Sequence, residues 1–360
     1  MELLIYLILF LLVLIVSSTT NKLLPFLPLP LVQILLGIVI GLFLPNTDFH
    51  LNTELFLALV IGPLLFRESE EADITAILKH WRIIVYLIFP VIFISTLSLG
   101  GLAHLLWLSL PLAACLAVGA ALGPTDLVAF ASLSERFSFP KRVSNILKGE
   151  GLLNDASGLV AFQVALTAWT TGAFSLGQAS SSLIFSILGG FLIGFLTAMT
   201  NRFLHSFLLS VRATDIASEL LLELSLPLVT FFLAEEVHVS GIIAVVVAGI
   251  LKASRFKKIT LLEAQVDTVT ETVWHTVNFM LNGSVFVILG MELEMIAEPI
   301  LTNPIYNPLL LLLSLVALTF VLFAIRFVMI YGYYAYRTRR LKKKLNKYMK
   351  DMLLLTFSGV

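Results

Sequence analysis

Apolar blocks long enough to cross a bilayer recur from one end of this chain to the other, and no other feature narrows its fold as much. A helix needs about 20 apolar residues to traverse the hydrocarbon core. By that measure eleven segments qualify, at roughly 2–20, 24–44, 51–66, 83–106, 110–133, 144–170, 181–209, 216–235, 238–253, 268–292 and 306–335, and a twelfth begins near Met352. The expected fold class is an all-α polytopic membrane protein. Composition agrees: of 360 residues, 59% are hydrophobic and 13% charged, against roughly 25% charged in a soluble domain.

The basic residues test the count. Lys22 lies between spans one and two; Arg67, Lys79 and Arg82 lie between three and four. Arg136, Lys141, Arg142 and Lys148 fall between five and six or at their ends, Arg202 and Arg212 between seven and eight, and Lys252, Arg255, Lys257 and Lys258 between nine and ten. Eight more follow span eleven, from Arg337 to Lys350. Every second loop takes the bases and the intervening loops have none. The positive-inside rule then puts the amino terminus outside and the basic loops in the cytoplasm. Met1-Glu2-Leu3-Leu4 lacks the basic region of a signal peptide, so the first apolar run is expected to stay as a membrane helix. Acids and bases balance at 23 each, which suggests no nucleic-acid partner. The single cysteine, Cys115, excludes an internal disulfide and any multi-cysteine metal site.

Four charges stand where lipid should forbid them: Asp126 in span five, Glu150 and Asp155 in span six, and Arg326 in span eleven. An ionised side chain at the bilayer centre costs roughly 2.5–3.5 kcal/mol on insertion scales. Asp126 precedes the cytoplasmic end of its span by about seven residues, or about 10 Å of helix. Asp155 and Arg326 lie at similar depths, so all four can meet on one level.

The backbone before Asp126 reads Gly119-Ala120-Ala121-Leu122-Gly123-Pro124-Thr125. Proline removes a backbone donor and frees the carbonyl four residues earlier, and the glycines weaken the helix further. A functionless kink is the plain alternative. Transporters, however, use such broken helices to aim carbonyls and helix ends at ions, and Asp126 stands beside this one. In span six, positions four apart share a face. Glu150 therefore stacks on Asn154, and Gly151 on Asp155, where the glycine leaves room for another backbone. Asp155 can face Asp126 while Glu150 turns to Arg326, the only base within the membrane. That second pair is expected to be structural, a mobile gating pair being the alternative.

Two neighbouring carboxylates cannot both stay ionised without a cation or a proton. The carboxylates of Asp155 and Asp126, the amide oxygen of Asn154, and Thr125 through its hydroxyl or carbonyl form a candidate set of sodium ligands. A proton competes for Asp155. One site that takes either ligand and opens to either side gives exchange.

These residues resemble the cation:proton antiporter-1 family of sodium/proton exchangers. The likeness covers Thr125-Asp126 in a broken fifth helix, Glu150…Leu153-Asn154-Asp155 in the sixth, and Ala234-Glu235…Val239-Ser240-Gly241-Ile242…Val247-Ala248-Gly249. It extends to Ile288-Leu289-Gly290-Met291-Glu292-Leu293 and to Arg326. The resemblance implies an inverted-repeat antiporter fold with broken crossing helices, a homodimer in a bacterial inner membrane, and exchange of Na+, or of Li+ or K+, for H+. It makes Asp155 the alternating carrier, Asp126, Thr125 and Asn154 its support, and Glu150–Arg326 a structural pair. Asn154, where electrogenic relatives carry a second aspartate, implies electroneutral exchange. Where many members carry serine after the motif glutamate, this chain has Gly151. The resemblance also implies thirteen helices in one transmembrane domain, residues 1–360 here, with helix five crossing helix twelve. The sequence ends at Phe357-Ser358-Gly359-Val360, near where the second break would begin, so a copy lacking its last one to two helices is the expectation.

Other polar residues weigh less. Glu68, Glu70, Glu71 and Asp73 suit a cation-attracting entrance or a solvated loop, and Glu235, Glu236 and His238 a short outward loop. Asn278, Asn282 and Ser284 suit a path or interhelical hydrogen bonds. The stretch from Arg337 to Lys350 reads as a topology anchor against anionic lipid. No phosphate loop, His/Cys metal cluster or nucleophile arrangement occurs, so no cofactor is expected and the chain is not expected to be an enzyme. The competing reading is a non-transporting membrane scaffold that keeps a relic ion site.

Overall fold

Inside a bilayer no water is available to backbone N–H and C=O groups, and a helix satisfies them within one segment. In the computed structural model, which describes residues 2–24, 26–43, 52–125, 130, 138–171, 176–211, 215–253, 261–302, 307–340 and 348–359, every described regular element is helical. In chain order these are α1 (Glu2–Leu23), α2 (Leu29–Phe43), α3 (53–71), α4 (Ile74–Lys79), α5 (Trp81–Leu106), α6 (Leu112–Leu122) and α7 (Lys141–Thr171). They continue with α8 (Leu176–Ser210), α9 (Ile216–Glu236), α10 (Gly241–Ala253), α11 (Leu261–Thr302), α12 (Pro308–Arg340) and α13 (Met349–Phe357). A helix stands at each apolar segment of the sequence. Among the described residues, five stretches are long and apolar enough to cross a membrane: Trp81–Leu106, Ile184–Ser210, Ile216–Glu236, Thr268–Ala297 and Pro308–Arg340.

Helix starts and irregularities follow local chemistry. Asp73 accepts the Ala76 amide at 3.0 Å and Asp215 the Ser218 amide at 2.9 Å, so each caps orphan donors at the start of α4 and α9. Hydrogen bonds hold both carboxyls below the usual carboxylate range, led by the Thr75 hydroxyl for Asp73 and the Ser218 side chain for Asp215. The caps therefore support their helices fully above the ordinary aspartate pKa and lose effect as pH falls through the lowered one. Two of the described helices widen into a π turn, α3 at Leu57–Ile61 and α5 at Leu87–Val91. Pro63 follows the first and Pro90 lies within the second. A proline that lacks N–H and crowds the carbonyl four residues back favours such a widened turn.

The described chain groups into two units. The first comprises Met1–Glu70 and Gly189–Tyr306. Here α2 lies along α11, with Gly37 against Gly290, and α9 packs on α10. One end is held by charge: the Lys252 ammonium lies 2.8 Å from Glu223 and 3.3 Å from Glu70. Arg67 bridges the second Glu70 oxygen at 3.0 Å, and the Trp274 indole donates to Glu223 at 3.0 Å. Glu70 is thus part of a half-dry cluster and not of a solvated loop.

The second unit comprises Glu71–Leu188 and Asn307–Val360. In it α6 lies between α5 and α7, and α12 packs on both α5 and α13. Ile83, Ile84, Leu87, Val143, Ile146, Leu147, Ile330, Tyr334, Met352 and Leu355 form its apolar core.

The α9–α10 turn is closed by Val239 N–H to Ala234 O at 3.0 Å and His238 N–H to Glu235 O at 2.9 Å. It holds His238 at φ 57, a left-handed conformation that costs an L-residue about 1–2 kcal/mol. His238→Gly removes that cost and adds the chain entropy of glycine. The expected net gain is about 0.5–1 kcal/mol, read as a raised midpoint in thermal unfolding in detergent, while His238→Val lowers it.

Candidate cation site

The site lies in the second unit, where α6 stops. After Leu122 the chain leaves the helix through Gly123, Pro124 and Thr125. Proline provides no amide to continue the ladder, so the helix ends although Gly123 itself keeps a helical conformation at φ −75, ψ −40. Gly158 of α7 lets this segment in, since a Cβ there would strike the Pro124 ring. The unwound stretch is thereby laid against α7, at the level of Glu150 and Asn154.

Those two residues are four apart on α7, share a face, and are fully buried. Glu150 meets Arg326 of α12, itself buried, with Arg326 Nη2 donating to Glu150 Oε2 at 2.7 Å. That length is typical of a charge-assisted bond. Arg326 also donates from Nε to the Leu355 carbonyl at 3.1 Å and from Nη1 to Thr125 Oγ1 at 3.2 Å. Thr125 Oγ1 lies 3.0 Å from Glu150 Oε1 and 2.8 Å from the Gly359 carbonyl. With one proton, the hydroxyl donates to one of these at a time. Gly359 is small for a reason: a Cβ there would collide with the Arg326 guanidinium.

Burying two charges costs several kcal/mol each. Here the opposite charge and three further contacts offset that cost: Thr125 Oγ1 to each member of the pair, and the Leu355 carbonyl to Arg326. The cluster joins α6, α7, α12 and the end of α13 through one guanidinium.

Asn154 sits beside the cluster without joining it. Its Nδ2 donates to the Thr125 carbonyl at 3.2 Å. Its Oδ1 is buried and has no hydrogen-bond partner among the described residues. A buried, unsatisfied amide oxygen costs about 1–3 kcal/mol, which makes it an acceptor in want of a cation, a water or a proton donor. Asp155 follows it on α7, but the Asp155 side chain lies outside the described residues, as does all of Asp126.

Of the six residues singled out in the sequence, the structure thus brings four together: Thr125, Glu150, Asn154 and Arg326. It also shows two groups the sequence reading missed, the Leu355 and Gly359 carbonyls. Backbone acceptors have no residue signature, and only the glycine hinted at a close approach. The geometry divides the labour on α7. Glu150 is spent on Arg326, and Asn154 presents the open oxygen.

The family model described as "Sodium/hydrogen exchanger, transmembrane" matches residues 7–360. A "Sodium, potassium, lithium and rubidium/H(+) antiporter" of Bacillus pumilus is 35% identical over 356 residues, 98% of this chain and 53% of the relative. The protein of the same name from Bacillus subtilis is 34% identical over 348 residues, 96% of this chain and 52% of its own length. The chain therefore spans about half the length of these curated relatives. Among solved structures, the sodium proton antiporter MjNhaP1 of Methanocaldococcus jannaschii superposes with a TM-score of 0.70 at 19% identity. It covers all of this chain and 83% of its own, and so shows the fold.

Glu150→Gln strands a buried guanidinium and is expected to destabilise the protein by about 3–5 kcal/mol. The double substitution Glu150→Leu with Arg326→Met removes both charges and should recover most of that loss. Thermal unfolding in detergent reads both. An unchanged midpoint for Glu150→Gln would show that the pair carries no structural weight.

Proposed function

We propose, on the premise that this chain belongs to the sodium/hydrogen exchanger family, that it is a secondary transporter exchanging a monovalent cation for H+ across the membrane. The observation that carries the reading is the buried Oδ1 of Asn154, without a hydrogen-bond partner among the described residues, one residue from Asp155 and hydrogen-bonded through its amide to a broken helix. An aspartate beside an orphaned oxygen offers a dehydrated cation what it needs, a negative charge with neutral oxygen ligands. The same aspartate offers a proton an alternative place to bind.

In this reading Asp155 carries either a proton or the cation, and Asp126, Asn154 and Thr125 complete the ligand set. The two oxygens of Thr125 divide. Its hydroxyl is engaged by Glu150, Arg326 and Gly359. Its carbonyl accepts only the Asn154 amide among the described residues and keeps a second lone pair for a cation. Glu150 and Arg326 neutralise one another and hold the break open. Since residue 154 is a neutral amide, one carboxylate cycles and exchange is electroneutral. Na+ is the principal cation; the names of the Bacillus relatives extend the set to K+, Li+ and Rb+. Binding one cation expels the proton from Asp155, and alternating access moves the loaded and protonated forms in opposite directions. The chain forms one transmembrane antiporter domain of eleven spans and the start of a twelfth, in a bacterial inner membrane, with its amino terminus outside and a second copy as partner.

The test uses vesicles holding a pH-sensitive dye, reconstituted with the chain alone or with the following segment of the Bacillus subtilis relative joined after Val360. An imposed sodium gradient should move protons in at least one form, and Asp155→Asn should lower the rate at least a hundredfold. If neither form moves protons, the scaffold reading replaces this one. Orientation is tested separately in a Cys115→Ser background. A membrane-impermeant maleimide added to intact cells should label a cysteine placed at Asn303 and spare one placed at Ser254. The reverse pattern would invert the topology.

A further inference from the structure

Helix α13 is only nine residues long, Met349–Phe357, yet its far end delivers two carbonyls to the ion-pair cluster. Leu355 O accepts from Arg326 Nε at 3.1 Å, and Gly359 O lies 2.8 Å from the Thr125 hydroxyl. Both contacts depend on axial register. A slip of one residue shifts a helix by about 1.5 Å and turns each group by about 100°, enough to lose both bonds.

Apolar packing alone does not set that register. Met352 and Leu355 press α13 against Val143, Ile146 and Leu147 of α7 and Ile330 of α12. Burial of this kind is non-directional and gives little resistance to sliding along the helix axis. A directional anchor is found at the opposite end of α13, about eight residues or ~12 Å from Gly359. In the first turn of α7, the Arg142 guanidinium lies 5.1 Å from the Tyr348 ring centre and 5.6 Å from that of Tyr334. The two rings stack on each other at 5.4 Å. Arg142 Nη1 is 3.5 Å from Asp351 Oδ2, and Nη2 donates to the Tyr334 hydroxyl at 3.3 Å. Tyr348 and Asp351 flank the first residues of α13, while Tyr334 belongs to α12. A planar guanidinium can lie flat on a ring while its fork reaches two fixed partners; an ammonium is a point charge without that plane.

We propose that Arg142 is a positioning residue for the exchange reaction: its clasp on Tyr334, Tyr348 and Asp351 sets the register of α13 and thereby the carbonyls that hold Arg326 and Thr125. The clasp touches neither cation nor proton. It acts through α13 on Thr125, whose carbonyl holds the Asn154 amide, and it rests on the antiporter reading above. With 28% and 21% of the Arg142 and Asp351 side chains exposed, the charge pair alone is screened and weak. The approach of the guanidinium to the stacked pair of tyrosine rings supplies the direction.

The experiment compares wild type, Arg142→Met, Arg142→Lys, Asp351→Asn and the control Arg202→Met by two readouts. One is the cation KM and maximal rate of exchange in vesicles. The other is amide hydrogen exchange of residues 349–357. Arg142→Met should raise KM about tenfold with less than a threefold change in maximal rate, and should speed amide exchange in α13 about tenfold. Arg142→Lys should remain close to Arg142→Met, because it restores charge without the stacked fork. Asp351→Asn, the milder variant should Arg142→Met fail to fold, is expected to raise KM about threefold. The control should match wild type. Unchanged KM and unchanged α13 protection in Arg142→Met overturn the proposal, as does full recovery by Arg142→Lys. A wild type that moves no ions fails the antiporter reading instead. The amide exchange of α13 still decides the clasp in that case, and unchanged protection in Arg142→Met refutes it.

Discussion

The Glu150–Arg326 ion pair is the interaction on which the second unit depends. One guanidinium reaches α7 through Glu150, the unwound end of α6 through Thr125, and the end of α13 through the Leu355 carbonyl. Neither charge could remain in that interior alone, and each makes the other tolerable. An apolar substitute could fill the same volume. It could not hold an interrupted helix, whose exposed backbone groups need polar partners. The pair therefore makes possible the break that leaves Thr125 and Asn154 with oxygens to offer.

The division of roles on α7 follows from helix geometry. Glu150 and Asn154 share a face, so both meet the broken segment, one turn apart. Glu150 is consumed by Arg326, and Asn154 is left with an open acceptor. Small residues make these approaches possible. Gly158 admits Pro124, and Gly359 admits the Arg326 guanidinium. The first unit manages charge in another way. Lys252, Glu70, Glu223 and Arg67 neutralise one another in a cluster, with Trp274 as a further donor. Elsewhere in that unit Asn21, Asn278 and Asn282 also carry a buried amide oxygen with no hydrogen-bond partner among the described residues.

Much of this was legible in the sequence, because lipid is a severe solvent. It imposes a span length, sorts the bases into alternate loops, and makes any buried acid conspicuous. The 3.6-residue period put Glu150 with Asn154, and elimination put Arg326 with Glu150. Four things were hidden. Backbone carbonyls have no side-chain signature, so the parts played by Leu355 and Gly359 emerge only from coordinates. Pro63 and Pro90 announce irregularity without telling a kink from a widened turn. Long-range closeness, such as Lys252 beside Glu70 or Arg142 beside Tyr348, has no local pattern. The grouping of residues 1–70 with 189–306 likewise leaves no mark in composition, since both units are made of the same apolar helices.

The central claim is that the Asp155 carboxylate takes either a cation or a proton. Titration calorimetry of the purified chain with Na+ tests it directly, run at several pH values in buffers of different ionisation enthalpy. The account predicts that each Na+ bound releases close to one proton at low pH, that this number falls toward zero as pH rises past the site's own pKa, and that Asp155→Asn abolishes both heat and release. Sodium binding with no proton release at any pH, or binding that survives Asp155→Asn unchanged, would contradict it.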